Sequence, residues 1–333
     1  MRKITLLDVA KEVNLSKTTV SMVLNNKQIN VSDATRKRIF EAAKRLNYIP
    51  NSVARSLSTK KSYTIGFIIP DIENPFFSEM AKAIETEAEK HGYSIILCNT
   101  FNSGKKEEEY IKLLISKLVD GVILVCGEEN NEGMKILEKN KVPFVIVDRR
   151  VSSNEIFNEV FCDNKYGIKL GIEYLINKGF KKIAFVGEKK NERFLNSRLE
   201  YFKELSKEYN IFNEHLIEKD YFSMEGGIAA TERLVHKNLH IEAIFYSSDV
   251  MAIGGMKYLL KNGYKIPDDM SILGYDNIGI CSFIEPELTT IAQPIYKMGA
   301  DACSLLINII NDISAEGTII KLPSYLVERE TVK

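Results

Sequence analysis

Cysteine pairs and long apolar runs are both missing from this sequence. The five cysteines among 333 residues form no Cys-x-x-Cys pair and are widely scattered, at Cys98, Cys126, Cys162, Cys281 and Cys303. This pattern argues against a disulfide scaffold and is typical of a reducing compartment. No apolar run reaches the roughly 18 residues that a membrane span requires, and the N-terminus lacks the apolar core of a signal peptide. We therefore expect a cytoplasmic protein with no membrane partner.

Motifs that support catalysis are missing too. The sequence has no glycine-rich phosphate loop, no Gly-x-Ser-x-Gly elbow and no carboxylate pair that stands out from ordinary surface charge. His236 and His240 have the four-residue spacing of metal ligands on a helix, but no further Cys or His lies near them in sequence. The sequence predicts neither an enzyme nor a metal or cofactor site.

Net charge is also zero for the whole chain, but the charge is unevenly distributed. Up to Lys61 there are 13 Lys and Arg against 4 Asp and Glu, whereas the remainder carries 32 basic and 41 acidic residues. A cationic head on an acidic body indicates that only the head binds a polyanion such as nucleic acid.

Three short helices are predicted in this head. Thr5 and Asp8 fit a capping box that starts a helix over about residues 6–13, Ser16 can cap a second helix, and Ser32 a third. The outer face of the second helix carries Lys17, Thr18, Ser21, Met22 and Asn25. A tight turn between the first two helices is typical of a helix-turn-helix domain, whose second helix enters the DNA major groove. The alternative is a small helical bundle with a solvated basic face.

The stretches "TLLDVAKEVNLSKTTVSMVLNN" and "VSDATRKRIFEAAKRLNYIPNSVARSL" resemble the head of the lactose/galactose repressor (LacI/GalR) family. The resemblance implies base contacts from Lys17, Thr18 and Met22 on the recognition helix. Arginine is common in the family where Met22 stands, and methionine cannot make the bidentate pair to guanine. The full set of expected DNA-contacting residues in the helical head is Thr5, Ser16, Lys17, Thr18, Ser21, Met22 and Asn25.

Residues 49–61 connect the head, residues 1–48, to the body, residues 62–333. Pro50 ends the preceding helix, and a helix of about two turns after Asn51 is too short to be stable alone in water. The family resemblance implies a hinge helix that folds on the operator, in which Leu57 wedges into the minor groove beside Asn51, Ala54 and Arg55. The alternative is a flexible linker with an incidental leucine.

The body alternates apolar runs with helical stretches. The runs "TIGFIIP", "SIILCNT", "GVILVCG", "PFVIVDR", "KKIAFVG", "AIFYSS" and "SILGYD" are typical of parallel strands buried on both faces. The length favours two doubly wound α/β lobes. The resemblance implies a periplasmic-binding-protein-like body, with an N-terminal lobe of about 62–161 and 292–321 and a C-terminal lobe of about 162–291 and 322–333.

Ligands of open α/β sheets bind beyond the carboxyl ends of the strands. By strand position and resemblance, the expected effector-binding residues are Phe76, Phe77, Asp148, Arg193, Arg198, Phe222, Ser248 and Asp276. Aromatic rings, carboxylates and arginines suit a sugar or a sugar acid. Each Phe could instead fill the core, and Asp276 could instead cap a helix. Tyr201 stands where the family usually has glycine, three residues after Arg198, and a bulky ring there could reshape the helix packing and change the placement of Arg198.

These expectations describe a repressor that binds a palindromic double-stranded DNA operator as a homodimer and responds to a small-molecule effector. One alternative is a regulator resembling the catabolite control proteins, which answer to a phosphorylated carrier protein. Lys297 and Cys303 stand where that branch should have an acid and a base. A solute-binding protein would share the body, but the basic head argues against it.

Overall fold

The computed structural model describes residues 4–25, 28–49, 61–125, 132–150, 157–189, 197–237, 239–311 and 317–333. Two compact units make up the chain, a head up to Ser62 and a body from Tyr63 to Lys333. Among the described residues, no helix has both the length and the apolar character that crossing a membrane would need.

The head contains helices α1 (Leu6–Glu12), α2 (Lys17–Leu24) and α3 (Asp33–Arg45). At the start of α1, the Asp8 carboxylate accepts hydrogen bonds from the backbone N–H and the hydroxyl of Thr5, at 2.8 and 2.7 Å. The hydroxyl oxygens of Ser16 and Ser32 accept from the backbone N–H of the third residue of α2 and α3, at 3.0 and 3.2 Å. These caps satisfy backbone donors that a short helix leaves free and fix where each helix begins.

Apolar side chains from all three helices form one small core. Its fully buried members are Val9, Val20, Val23 and Ile39. Asn14 takes a left-handed conformation, φ 51°, in the turn between α1 and α2. The turn is therefore tight, and the buried valines of α2 leave its opposite face to solvent.

The body is an α/β structure whose described part contains twelve strands and eight α-helices. The strands are β1 (Thr64–Ile69), β2 (Ser94–Asn99), β3 (Gly121–Leu124), β4 (Phe144–Val147), β5 (Glu159–Cys162), β6 (Ile183–Glu188), β7 (Ile217–Asp220), β8 (Ala243–Tyr246), β9 (Ser271–Asp276), β10 (Thr290–Ala292), β11 (Ile319–Leu322) and β12 (Tyr325–Val327). The helices are α4 (Pro75–Lys90), α5 (Gly104–Ser116), α6 (Glu132–Lys139), α7 (Asn164–Asn177), α8 (Arg198–Glu208), α9 (Met224–His236), α10 (Asp249–Lys261) and α11 (Ile295–Ile310).

The strands form two six-stranded sheets, in the orders β11-β5-β4-β3-β1-β2 and β12-β10-β9-β8-β6-β7. Every neighbouring pair is parallel except β10 and β12. Strands such as β3, β8 and β9 are buried along their whole length, as the apolar runs predict. The glycines after α4, α7 and α10 have φ of 74°, 92° and 84°, which ends these helices in the left-handed region.

The chain crosses between the sheets three times. It leaves the first sheet after Cys162, returns between Ala292 and Ile295, and crosses again between Leu322 and Tyr325. The prediction of a helix-turn-helix head on a body of two doubly wound, mostly parallel lobes is confirmed. Because the crossings lie side by side, the carboxyl ends of both sheets can face one cleft.

Candidate functional site

A cavity of about 520 Å³ lies between the two lobes of the body. Seven of the eight expected effector-binding residues line it, namely Phe76, Phe77, Asp148, Arg198, Phe222, Ser248 and Asp276. The eighth, Arg193, lies outside the described residues. The cavity is formed by strand ends and helix starts from both sheets, as expected for a ligand site of this architecture.

Aromatic rings form one wall of the cavity. The Asn74 side chain caps α4 by accepting a hydrogen bond from the Phe76 backbone N–H at 3.1 Å, and Pro75 takes the first helical position. This start places Phe76 and Phe77 edge to face, with centroids 5.2 Å apart. Both rings pack in the core and also line the cavity, so the two interpretations of these residues are compatible. Phe222, half-buried, lines the cavity from the other lobe.

Arg198 is the cation that pairs with Asp276 in the cleft, and Arg149, which is buried, also lines the cavity. Arg198 is the first residue of α8, its guanidinium stacks on the Tyr275 ring at 3.9 Å, and Nη1 donates to the Ser247 carbonyl at 2.5 Å. Nη1 also lies 3.0 Å from Oδ1 of Asp276. Burial opposes the charged form, but the neighbouring carboxylates outweigh it and raise the pKa of Arg198. The guanidinium is therefore fixed in position and remains charged.

Asp276 ends β9 in a backbone conformation that is rare for a residue other than glycine, with φ 119°. Its carboxylate accepts from Nε2 of Gln293 at 2.8 Å in addition to its pairing with Arg198. Burial raises the pKa of Asp276 to about 7, against the opposing effect of Arg198. Burial also raises the pKa of Asp148, which follows β4 with φ 70°. Two carboxylates and two arginines, Arg149 and Arg198, thus line one largely desolvated space.

The structure adds residues that sequence reasoning missed. Asn74, Arg149 and Asn164 also line the cavity, and Gln293 is buried against Asp276. Arg149 and Asn74 are sequence neighbours of expected residues, which is a signal that could have identified them. Gln293 and Asn164 stand at lobe crossings, and only the fold brings them to the site.

Tyr201 does not displace Arg198. Its ring lines a neighbouring cavity of about 390 Å³ together with Phe161, Leu205 and Lys321, one turn along α8. Burial raises the pKa of its phenol. The contacts of Arg198 described above are formed with the bulky ring in place.

In the head, the expected DNA-contacting residues lie at the surface. Thr5, Ser16, Lys17, Thr18 and Asn25 are exposed, and Ser21 and Met22 are half-buried on the same face of α2. Asn25 donates to the Ser21 carbonyl at 2.8 Å. Short polar side chains on an exposed helix face can reach base edges and phosphates. The expected hinge residues Asn51, Ala54, Arg55 and Leu57 lie outside the described residues.

Family models match both units of the chain. Residues 5–51 match the lacI family of bacterial regulatory proteins, and residues 172–332 match a periplasmic binding protein-like domain. The chain is 40% identical to the ribose operon repressor of Halalkalibacterium halodurans, over 99% of this chain and 97% of that protein. It is 35% identical to catabolite control protein A of Priestia megaterium, over 99% of each.

Solved structures agree with these relatives. The lac repressor dimer bound to operator and the anti-inducer ONPF superposes with a TM-score of 0.86 at 27% identity, covering 99% of each chain. A LacI family transcriptional regulator from Enterococcus faecium with bound ribose has a TM-score of 0.73 at 33% identity, covering 81% of this chain and 98% of that one. The helix-turn-helix head, the two-lobed body and full-length similarity to relatives lead to one assignment. The chain belongs to the LacI family of DNA-binding bacterial regulatory proteins.

Proposed function

We propose that this protein is a cytoplasmic transcriptional repressor whose effector is a neutral pentose, D-ribose. The head binds a palindromic operator, two copies of the chain form the binding unit, and the sugar occupies the cleft of the body. The ribose operon repressor and the ribose-bound regulator among its relatives support this choice of sugar.

The observation that carries the proposal is the composition of the cleft. Phe76, Phe77 and Phe222 supply apolar ring surfaces that can pack on the C–H faces of a sugar. Asp148 and Asp276 supply acceptors, and Arg198 supplies donors, at the depth where hydroxyl groups would be desolvated. Buried charged partners penalise a ligand that lacks hydroxyls at the matching places, so the cleft selects for polyols.

Charge balance distinguishes a neutral sugar from an acid. Among the described residues that line the cavity, the acids Asp148, Glu188, Glu200 and Asp276 are matched in number by the bases Arg149, Arg198, Lys203 and Lys219. Arg198 is already paired with a carboxylate at 3.0 Å. Because the charges of the lining already balance, a sugar phosphate or sugar acid would bring an uncompensated negative charge into the cleft, which is unfavourable.

The effector proposal is tested by isothermal titration calorimetry with D-ribose, ribose 5-phosphate and ribonate. We expect saturable binding of D-ribose and much weaker binding of both anions. Asp276→Asn should remove ribose binding, and Asp268→Asn, which changes an exposed aspartate of the same lobe, should leave it unchanged. Tighter binding of either anion than of ribose would show that the effector is an acid.

The repressor role is tested on DNA. Fluorescence anisotropy with a palindromic duplex should show salt-sensitive binding by the full-length protein, since Lys and Arg of the head displace counterions from the phosphates. Addition of D-ribose should weaken that binding. Ribose can do this only by binding the two conformations of the body with different affinity.

The carrier-protein alternative has less support. Cys303, one of the two residues singled out for it, is fully buried and cannot contact a docked protein. The other, Lys297, is exposed and pairs with Asp301 at 3.0 Å on the same helix.

A further inference from the structure

Asp249 is a fully buried carboxylate that the cleft does not use directly. It is the first residue of α10, directly after Ser248, but it is not among the residues that line the cavity. A charged group with no exposure is unfavourable unless its hydrogen-bonding capacity is filled. The partners of Asp249 therefore indicate what it holds in place.

Those partners lie in one loop and one strand. Oδ2 accepts from the backbone N–H of Ile278 at 3.0 Å, and Oδ1 accepts from the hydroxyl of Thr290 at 2.6 Å. Burial raises the pKa of Asp249, and the donor groups of Thr290, Ile278, Cys281 and Asn277 oppose that effect. Three of these four residues lie among the five that follow Asp276. The Asp249 carboxylate therefore holds the loop that begins at Asp276 and ends at Cys281.

The Asp276–Cys281 loop begins with two residues in strained backbone conformations. Asp276 and Asn277 have φ of 119° and 59°, and neither is a glycine. Such conformations persist only where surrounding contacts enforce them. They turn the chain sharply at the end of β9, where the Asp276 carboxylate meets Arg198 at 3.0 Å and Gln293 at 2.8 Å.

Gly274, in strand β9, leaves space for the Asp249 carboxylate. A Cβ at Gly274 would lie 2.2 Å from Oδ1 of Asp249, so any side chain there would displace the carboxylate. Glycine at 274 and aspartate at 249 are therefore required together. On the outer side, Nη2 of Arg329 donates to the Asn277 side chain at 2.7 Å.

We propose that Asp249 is a positioning residue for effector binding: its carboxylate holds the Asp276–Cys281 loop in the conformation that directs the Asp276 carboxylate to Arg198 and the cleft. Asp249 does not touch the sugar and acts through Asp276. The first test below measures ribose affinity and therefore rests on the proposed function. The second test measures the titration of Asp276 without sugar and does not rest on it.

Asp249 also affects how Asp276 titrates. The charged groups around Asp276 are Arg198 from α8, Asp148 after β4 and Asp249 from α10, with the Tyr275 phenol beside Arg198. Burial raises the pKa of Asp276, Arg198 lowers it, and the two other carboxylates raise it further. Losing the hold on the loop would take Asp276 away from Arg198 and raise the pKa of Asp276 further. A variant that keeps the Asp249 carboxylate but weakens its hold on the loop therefore tests the positioning role apart from the charge of Asp249.

The first arm measures D-ribose affinity at pH 8. Asp249→Asn should weaken it by about ten-fold or more, as expected when a charged hydrogen bond loses its geometry. Thr231→Val is the matched control, because it removes a buried hydroxyl that bonds Tyr246 at 2.6 Å in the same lobe, away from the loop. It should lower the melting temperature while leaving ribose affinity unchanged. Unchanged affinity in folded Asp249→Asn would overturn the proposal.

Thr290→Val provides a milder change in case Asp249→Asn does not fold. It deletes only the 2.6 Å donor to Asp249 and keeps the side-chain shape. We expect Thr290→Val to bind ribose more weakly than Thr231→Val does, even where the two variants lose the same amount of melting temperature. Equal ribose affinity in the two variants would count against the proposal.

The second arm needs no sugar. The Asp276 carboxyl carbon is followed by ¹³C NMR titration of the free protein and assigned with Asp276→Asn. Its apparent pKa should be higher in Thr290→Val than in the wild type, because Asp249 keeps its carboxylate but holds the loop less firmly and Asp276 moves away from Arg198, and it should be unchanged in Thr231→Val. If the wild type binds no ribose, the effector proposal fails and this titration alone decides: an unchanged Asp276 titration in Thr290→Val overturns the positioning role.

Discussion

Met22 occupies the sixth position of α2 and lies half-buried on its outer face. Its thioether can contact a thymine methyl group but cannot donate to guanine O6 and N7. We predict that Met22→Arg creates a guanine preference at the facing base pair of each half-site. The discrimination gained should be about 5-fold to 150-fold, since a bidentate contact contributes about 1–3 kcal/mol. Selection of operators from a random duplex library, followed by sequencing, measures it.

Met22→Leu is the control for this experiment, because leucine keeps the size and apolar character without new donors. Its selected operator should match that of the wild type. An identical base preference for Met22→Arg and the wild type would show that residue 22 does not face a base.

Asp276 also makes a prediction about pH. Its pKa is raised from 3.8 to about 7 in the folded protein, so the folded state holds the proton more tightly than the unfolded state does. The stabilising contribution of this proton is present below about pH 4 and is lost as pH rises through about 7. Asp276→Asn has no such group. The melting temperature of the variant minus that of the wild type should therefore rise between pH 5 and pH 8.

Differential scanning fluorimetry in sugar-free buffer measures that difference. Arg198 loses a partner in Asp276→Asn, which shifts the difference at every pH but does not produce the slope. Asp268→Asn, which changes an exposed aspartate of the same lobe, serves as the control. A melting-temperature difference for Asp276→Asn that does not change with pH would show that burial does not raise the pKa of Asp276.

At the scale of the helix, Ser16 and Ser32 offer a matched pair. Each caps a helix of the head by accepting from the third backbone N–H, at 3.0 and 3.2 Å, and each hydroxyl also contacts a threonine hydroxyl. Mutation of either to alanine should destabilise its helix by about 1 kcal/mol. Only Ser16 begins the recognition helix and is expected to contact DNA. Ser16→Ala should therefore weaken operator binding more than Ser32→Ala does.

Hydrogen exchange of the full-length protein measures the loss of each cap, and fluorescence anisotropy measures operator affinity. If the two variants show similar increases in hydrogen-exchange rate but Ser16→Ala loses more operator affinity, the result supports a DNA contact from Ser16. Equal losses of affinity would show that the Ser16 hydroxyl acts only through helix stability.

The boundaries of most elements are encoded locally, which is why the sequence predicts them. Ser16 and Ser32 start helices because their side chains satisfy backbone donors, and Gly92 ends α4 because it adopts a positive φ. The expected first helix, 6–13, differs from Leu6–Glu12 by one residue because Val13 forms its C-cap. Local chemistry is sufficient for these features.

The cleft depends on contacts between remote parts of the chain, so the sequence predicts only part of it. Strand ends predict Asp148 and Asp276 because parallel strands end at one edge. Gln293 and Asn164 could not be predicted in the same way, since each reaches the site by a lobe crossing. The hydrogen bond from the Ile278 backbone N–H to Asp249 joins residues 29 apart in sequence, and it is visible only once β8, β9 and β10 are aligned.

At the scale of the whole molecule, the proposed function places the sugar and the operator on different units of the chain. Their interaction is then a coupling free energy, and linkage requires it to be reciprocal. If D-ribose weakens operator binding by some factor, operator must weaken ribose binding by the same factor. Couplings of this kind are typically about 5-fold to 150-fold. A sugar that bound the body without any preference between its conformations would leave operator affinity unchanged.

We predict equal factors in the two directions for the wild-type protein. Operator affinity is measured by anisotropy with and without saturating D-ribose, using the palindrome recovered from the selection. Ribose affinity is measured by calorimetry with and without saturating duplex. In Asp276→Asn, ribose should have no effect on operator binding, because the carboxylate that pairs with Arg198 and faces the cleft is absent. An effect of ribose that persists in this variant would place the regulatory site outside the cleft, whereas unequal factors in the wild type would mean that ribose or duplex acts at a second site.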